Sequence, residues 1–218
     1  MRNELVDLIE RMTVREKIVN SDDSISWHAH REAERLDDKS MVDELDVYLN
    51  QKPTKDQRSA AYFIIGKIAK NCLSLECASR LITYSAKEKD KYALANLLER
   101  LAEIPKPESV DIEPLFSLLQ DSRWLVRHAA IRSLRGCNSS EAEVKLLEVL
   151  ANTSDPYDAI YCYSTLGEIG TCKSLSALAL GLKSRKRDVK DSAQAAIAAI
   201  EVRNGHLMAG AEGEATAI

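Results

Sequence analysis

The chain has 218 residues, 45% of them hydrophobic and 29% charged, with a net charge of -4; this is a core-forming composition that excludes a disordered chain and one built of membrane spans. Only 8 Gly, 5 Pro and 5% aromatic residues leave too few turn and strand residues for a sheet protein of this length, so helices are expected. The acidic balance, with a pI of about 5.7, offers no global field for nucleic acid or anionic lipid, although a local patch stays compatible with it.

In chain order the segments pair. LVDLIERM is followed by SWHAHREAERL, the least regular pair. VDELDVYLN leads through Pro53-Thr54 into DQRSAAYFIIGKIA, and CASRLITYSA leads into KDKYALANLLERLAEI. IEPLFSLLQ reads as a short amphipathic helix, Asp121-Ser122 as a cap, and RWLVRHAAIRSLRG as a second helix with Val126, Ala129, Ala130, Ser133 and Leu134 on one face. AEVKLLEVL is followed by Asp155-Pro156, a cap with Pro at the first helical position, and YDAIYCYSTLGEIG. LSALALGL is followed by a basic turn and RDVKDSAQAAIAAI. The apolar residue near the end of each second helix (Leu36, Ile65, Leu98, Leu134, Leu166, Ile197) recurs at intervals of 29, 33, 36, 32 and 31, the longest containing Pro105-Lys106-Pro107 as a loop insertion.

Six helical hairpins at a near-constant period resemble HEAT-like repeats. The resemblance is carried by 121–136, where Asp121, then Val126-Arg127, then Ala129-Ala130 and Leu134 match the pattern of the family's second helix. Ile65-Gly66-Lys67-Ile68 and Thr165-Leu166-Gly167-Glu168-Ile169-Gly170 resemble its end. A basic residue fills the arginine position in Arg58, Lys91, Arg127 and Lys190, and Ala159 replaces it in the fifth unit.

The resemblance implies an all-α fold, a right-handed α-α superhelix (solenoid) of about six hairpins. It covers one HEAT-like domain, 1–202, with repeats near 3–37, 40–70, 74–104, 111–137, 140–170 and 172–202, followed by a flexible tail at 203–218. Single hairpins cannot bury their apolar faces, so neighbours stack. First helices then line a convex side and second helices a concave side where partners dock.

Candidate chemistry is judged on that register. His128, Arg132 and Arg135 are expected together on the solvent face of the fourth second helix, with Arg127 in an internal ladder with turn aspartates. Trp124 is expected to wedge between repeats or to serve as a binding anchor. The same register places Ser59, Phe63, Tyr92, Asn96, Ile160, Ser164 and Asp191 on the concave face, a mixed polar and aromatic surface suited to a protein or peptide. The run Lys183–Arg187 reads as a solvated turn. Asp121, Asp155 and Asp188 read as caps. Cys72, Cys77, Cys137, Cys162 and Cys172 are scattered, without CxxC or metal-ligand spacing, and read as reduced thiols; His28 and His30 diverge on one helix. No HExxH, GxSxG, Walker loop or dinucleotide fingerprint occurs.

The expectation is a non-catalytic, cytoplasmic, monomeric interaction module that grips a protein partner in its concave groove, without metal or cofactor and without a membrane. The charged start MRNELVDLIERM lacks the apolar run of a signal peptide. The architecture also implies alternatives: a DNA-binding protein or a glycosylase for alkylated bases, a bilin-lyase-like protein, whose repeat 124–130 resembles, or a toxin-immunity protein. The acidic net charge disfavours the nucleic-acid reading.

Overall fold

The computed structural model describes residues 2–17 and 20–215, with side chains described to 204 except at 21. The described residues form α-helices and short 3-10 turns, with no strand. The chain divides into two compact units, Met1–Ser133 and Leu134–Ile218, where the sequence reading has one domain.

The first unit holds α1 (Asn3–Met12), α2 (Ile25–Ala33), α3 (Ser40–Asn50), α4 (Lys55–Asn71), α5 (Leu75–Ser85), α6 (Lys91–Leu101), α7 (Glu113–Phe116) and α8 (Trp124–Ser133). The second helices α2, α4 and α6 start on strong caps. Thr54 and Gln57 form a reciprocal capping box on α4, Asp90 accepts from the backbone N–H groups of Tyr92 and Ala93 on α6, and Ser24 accepts from that of Trp27 on α2. Helix α4 packs on α6 and α6 on α8. Their fully buried Ile64, Ile65, Ile68, Leu94, Leu97, Leu98 and Leu101 make the core, each side chain contributing about 1.5–3 kcal/mol of burial. Helices α3 and α4 end with Lys52 and Leu73 in left-handed conformation, φ 56° and 49°.

Two local readings change. IEPLFSLLQ is not one helix: α7 has 4 residues and passes into a 3-10 turn, Ser117–Gln120. Pro114 opens it, and the chain must turn at Asp121, so there is room for little more than two turns. Asp121 accepts from the backbone and guanidinium of Arg123 ahead of α8. Asp155 caps α10, whereas Asp188 lies inside the first turn of α12.

The second unit holds α9 (Ser140–Asn152), α10 (Pro156–Ile169), α11 (Leu175–Gly181) and α12 (Arg187–Ala215). Helix α10 packs on α12 and α11, with Cys162, Leu166, Leu178, Ala193 and Ile200 fully buried. Gly181 is required here, because a Cβ would stand 2.5 Å from the Tyr163 hydroxyl and 2.7 Å from Ala193 Cβ. The expected tail from 203 is helical in backbone to Ala215, and 216–218 lie outside the described residues.

In each unit a buried carboxylate ties a turn to the helices around it. Glu88, in the α5–α6 turn, accepts from Arg58 Nε and Nη2 at 2.7 and 2.9 Å, from the Tyr62 hydroxyl at 3.0 Å, and from the backbone of Lys89 and Asp90. Burial works to raise the Glu88 carboxyl, and the bonds from Arg58, Asp90 and Tyr62 outweigh it, holding it below the usual carboxylate range. In the second unit buried Glu143 accepts from the Thr171 backbone at 2.7 Å, the Thr171 hydroxyl at 3.0 Å and the Ser174 hydroxyl at 2.6 Å.

Candidate functional site

In the first unit the second-helix side opens into a groove of about 290 Å³. His30 reaches it from α2, Ser59 and Phe63 from α4, and Asn96 from α6, while the segment 12–15 at the end of α1 and Asp56 complete its lining. The register explains the convergence: Ser59 and Phe63 are four apart on one helix face, and Asn96 is the corresponding residue of the next hairpin.

Phe63 is half-buried and surrounded. The His30 ring meets it edge-on, centroids 5.1 Å apart at 74°, and Lys67 Nζ and Arg100 Cζ lie 5.1 and 5.2 Å from its centroid. Glu103 gathers the cations, with Arg100 at 2.6 Å, Lys67 at 2.9 Å and Lys70 at 3.2 Å. Burial would raise its carboxyl; the Lys67 hydrogen bond and the Arg100 charge keep it below the usual range. Gly66 makes this possible, since a Cβ there would lie 2.6 Å from Arg100 Cβ.

Two polar groups of the groove, on His30 and Asn96, are placed to accept. His30 Nδ1 lies 2.7 Å from the Ser26 carbonyl; a carbonyl only accepts, so Nδ1 carries the proton and Nε2 of the neutral ring keeps a lone pair. Asn96 Oδ1 is buried and accepts no hydrogen bond. Asp56 is held by Arg15 at 2.5 Å. Ser59, His30 and Asp56 are the residue types of a nucleophilic triad, but among the described residues no hydrogen bond joins them, and Asp56 is committed to Arg15.

The second unit has its own groove between α10 and α12, about 280 Å³, lined by Tyr163, Ser164, Gly167, Glu168, Ala195 and Ala199. Ser164 is exposed there, while Ile160 is half-buried and outside the lining.

The other sequence candidates fall differently. His128 is buried, 8% exposed, not on a solvent face. Helix α8 buries Val126, His128, Ala129, Ala130 and Ile131, so its packed arc is much wider than one stripe, and the Trp124 ring sits 5.5 Å from the His128 ring. Arg132 is ion-paired to Glu99 of α6 at 2.9 Å, and Arg135 is paired to Glu168 within the second unit. Arg127 Nη1 donates to the Asp121 carbonyl at 2.9 Å. These arginines are therefore tied into the packing. Trp124 does not wedge between repeats; it is 62% exposed, and Tyr92 is 58% exposed between Lys55 and Lys91, whose Nζ atoms lie 5.6 and 5.0 Å from its ring centroid. His30 and the 12–15 segment were not among the sequence candidates, although His30 lies on the row of Ser59 once the first hairpin is put in register.

The five cysteines form no disulfide among the described residues, and Cys77, Cys137 and Cys162 are buried. No helix among the described residues is long and apolar enough to cross a membrane.

Stacked antiparallel helix pairs, second helices that carry a groove, and ion pairs reaching from one hairpin to the next define an α-solenoid repeat protein. The family model for HEAT repeats matches residues 78–161 and 112–198, together more than half of the chain. The chain belongs to the HEAT-repeat family. No curated protein matches it.

Proposed function

We propose that the protein is a non-catalytic interaction module that receives a polypeptide segment of a partner protein in the first-unit groove of His30, Ser59, Phe63 and Asn96. One observation carries this reading: the buried Asn96 Oδ1 lacks a hydrogen-bond donor inside a preformed groove floored by an aromatic ring. An unmet buried acceptor costs about 1–3 kcal/mol, and a partner's backbone N–H or amide side chain would relieve it. Phe63, held by its cation neighbours, supplies a rigid apolar contact of the kind that dominates interface energies. HEAT repeats commonly serve as protein scaffolds, which agrees with this reading.

Asn96→Leu separates binding from folding. It removes the unmet acceptor, so thermal stability is expected to hold or rise, while a partner captured from native lysate by the wild-type chain is retained at least about tenfold less well. Full retention by Asn96→Leu and by Phe63→Ala, or a small molecule or nucleic acid that binds the groove while no protein does, would overturn the reading.

A further inference from the structure

The edge of the first unit where α4, α6 and α8 begin is chemically distinct from the groove. Three contacts set its turns side by side. Arg58 of α4 reaches Glu88 in the α5–α6 turn, Lys55 lies over the Tyr92 ring of α6, and Arg123 before α8 donates to the Lys89 carbonyl at 3.0 Å. Along this edge Lys52, Lys55, Lys87, Lys89 and Lys91 are all exposed, and among the described residues none of them forms an ion pair.

The carboxylates of the edge are already committed. Glu88 is held by Arg58, Asp121 by Arg123 and Asp56 by Arg15, while Asp90 accepts the backbone N–H groups at the start of α6. The five ammonium groups thus outnumber the one carboxylate, Asp90, that no arginine neutralises, and three helix N-termini add positive potential behind them. Exposed Tyr92 and Trp124 interleave with the lysines, and the Tyr92 ring draws Lys55 and Lys91 to one place.

We propose that this edge docks an acidic segment of a partner polypeptide, its Asp and Glu side chains on the lysines and its apolar side chains on Tyr92 and Trp124. The proposal rests on the reading of the chain as an interaction module and not on occupancy of the groove. A peptide is favoured over nucleic acid by the charge of the whole: the chain is net -4, so a long polyanion meets repulsion outside the patch. A short acidic segment feels mainly the lysines within a Debye length of about 8 Å.

The test uses the full chain with Trp27→Phe, so that intrinsic emission reports Trp124, titrated with a short fluorescein-labelled peptide of repeating Glu-Glu-Phe. Its Gln-Gln-Phe counterpart and an oligo-dT of equal length are titrated in parallel. The expected result is saturable binding of the acidic peptide with a change in Trp124 emission, weakening with added salt. It should fall at least about tenfold in Lys55→Glu/Lys89→Glu/Lys91→Glu and persist in Asn96→Leu. Lys55 and Lys91 open their helices, where Glu is favoured, so the charge-reversed chain should fold, as circular dichroism would verify. Equal binding of the Gln peptide, undiminished binding by the charge-reversed chain, or loss in Asn96→Leu would overturn the proposal. So would tighter binding of oligo-dT, or a dimer in light scattering that the charge reversal dissolves. Loss of partner retention in Asn96→Leu without any peptide binding would leave the groove reading standing and remove this one.

Discussion

Glu88 shows how much one residue can hold. It is 8% exposed and joins α4 to the α5–α6 turn through Arg58 and Tyr62, so removing its charge leaves Arg58 half-buried without its bidentate partner. Glu88→Gln is expected to lower stability by about 2–3 kcal/mol at pH 7 in urea unfolding. Because the folded carboxyl lies below its unfolded value, its stabilising contribution is complete above about pH 4.3 and is lost as pH falls through the folded value. The gap between wild type and variant should therefore narrow on acidification; a gap that stays constant to the lowest pH would show that the charge of Glu88 is not what stabilises the turn.

Leu73 gives the opposite sign. It stands 70% exposed at the end of α4 with φ 49°, a conformation that costs a residue with a Cβ about 1 kcal/mol and glycine nothing. Leu73→Gly should raise stability by about 0.5–1 kcal/mol, read as a higher midpoint at unchanged slope in urea.

At the scale of elements, the hairpins were legible because two independent signals coincide at most second helices: a cap residue and the apolar period behind it, as at Thr54 and Asp90. Where only one signal is present the reading slips, as at α7, whose apolar pattern is right and whose available length is too short. Ser59, Phe63 and Asn96 meet in one groove as register alone predicts, whereas Tyr92, expected beside them, sits at the exposed edge and outside the groove. The arginines of α8 did not follow from register, since helical period cannot distinguish a face turned to solvent from one turned to a neighbouring helix. A longer period could have found them. Ion pairs recur at about one repeat: Arg132 with Glu99 at 33 positions, Lys67 with Glu103 at 36, Arg80 with Asp46 at 34, Arg58 with Glu88 at 30. Opposite charges one repeat apart are to a solenoid what i,i+4 pairs are to a helix.

The α4–α6 contact tests this at Gly66. An added methyl gains helix propensity of about 1 kcal/mol but meets the base of the Arg100 side chain at 2.6–2.7 Å, which cannot swing away like the end of a flexible chain. Overpacking of this kind costs about 1–3 kcal/mol. Gly66→Ala is therefore expected to lose about 1 kcal/mol net in thermal or urea unfolding and to disturb the cation pair over Phe63. A variant more stable than wild type would mean that α6 shifts freely along α4.

On the scale of the whole molecule, repeat proteins hold together through contacts between neighbours, so damage should stay local. The two units have separate cores and separate carboxylate ties, Glu88 in one and Glu143 in the other. Glu143→Ala strands the buried Ser174 hydroxyl and removes the acceptor of the half-buried Thr171 N–H bond, a loss of about 2–3 kcal/mol. If stability is a sum of neighbour terms, amide hydrogen exchange should quicken in α9, α10 and α11 by roughly the factor that this energy implies, about 30- to 150-fold, while α4 and α6 keep their protection. If the chain unfolds as one cooperative body, protection falls equally in α4 and α6. The ratio of the two responses thus measures how far cooperativity extends along the array, which the local ties alone cannot set.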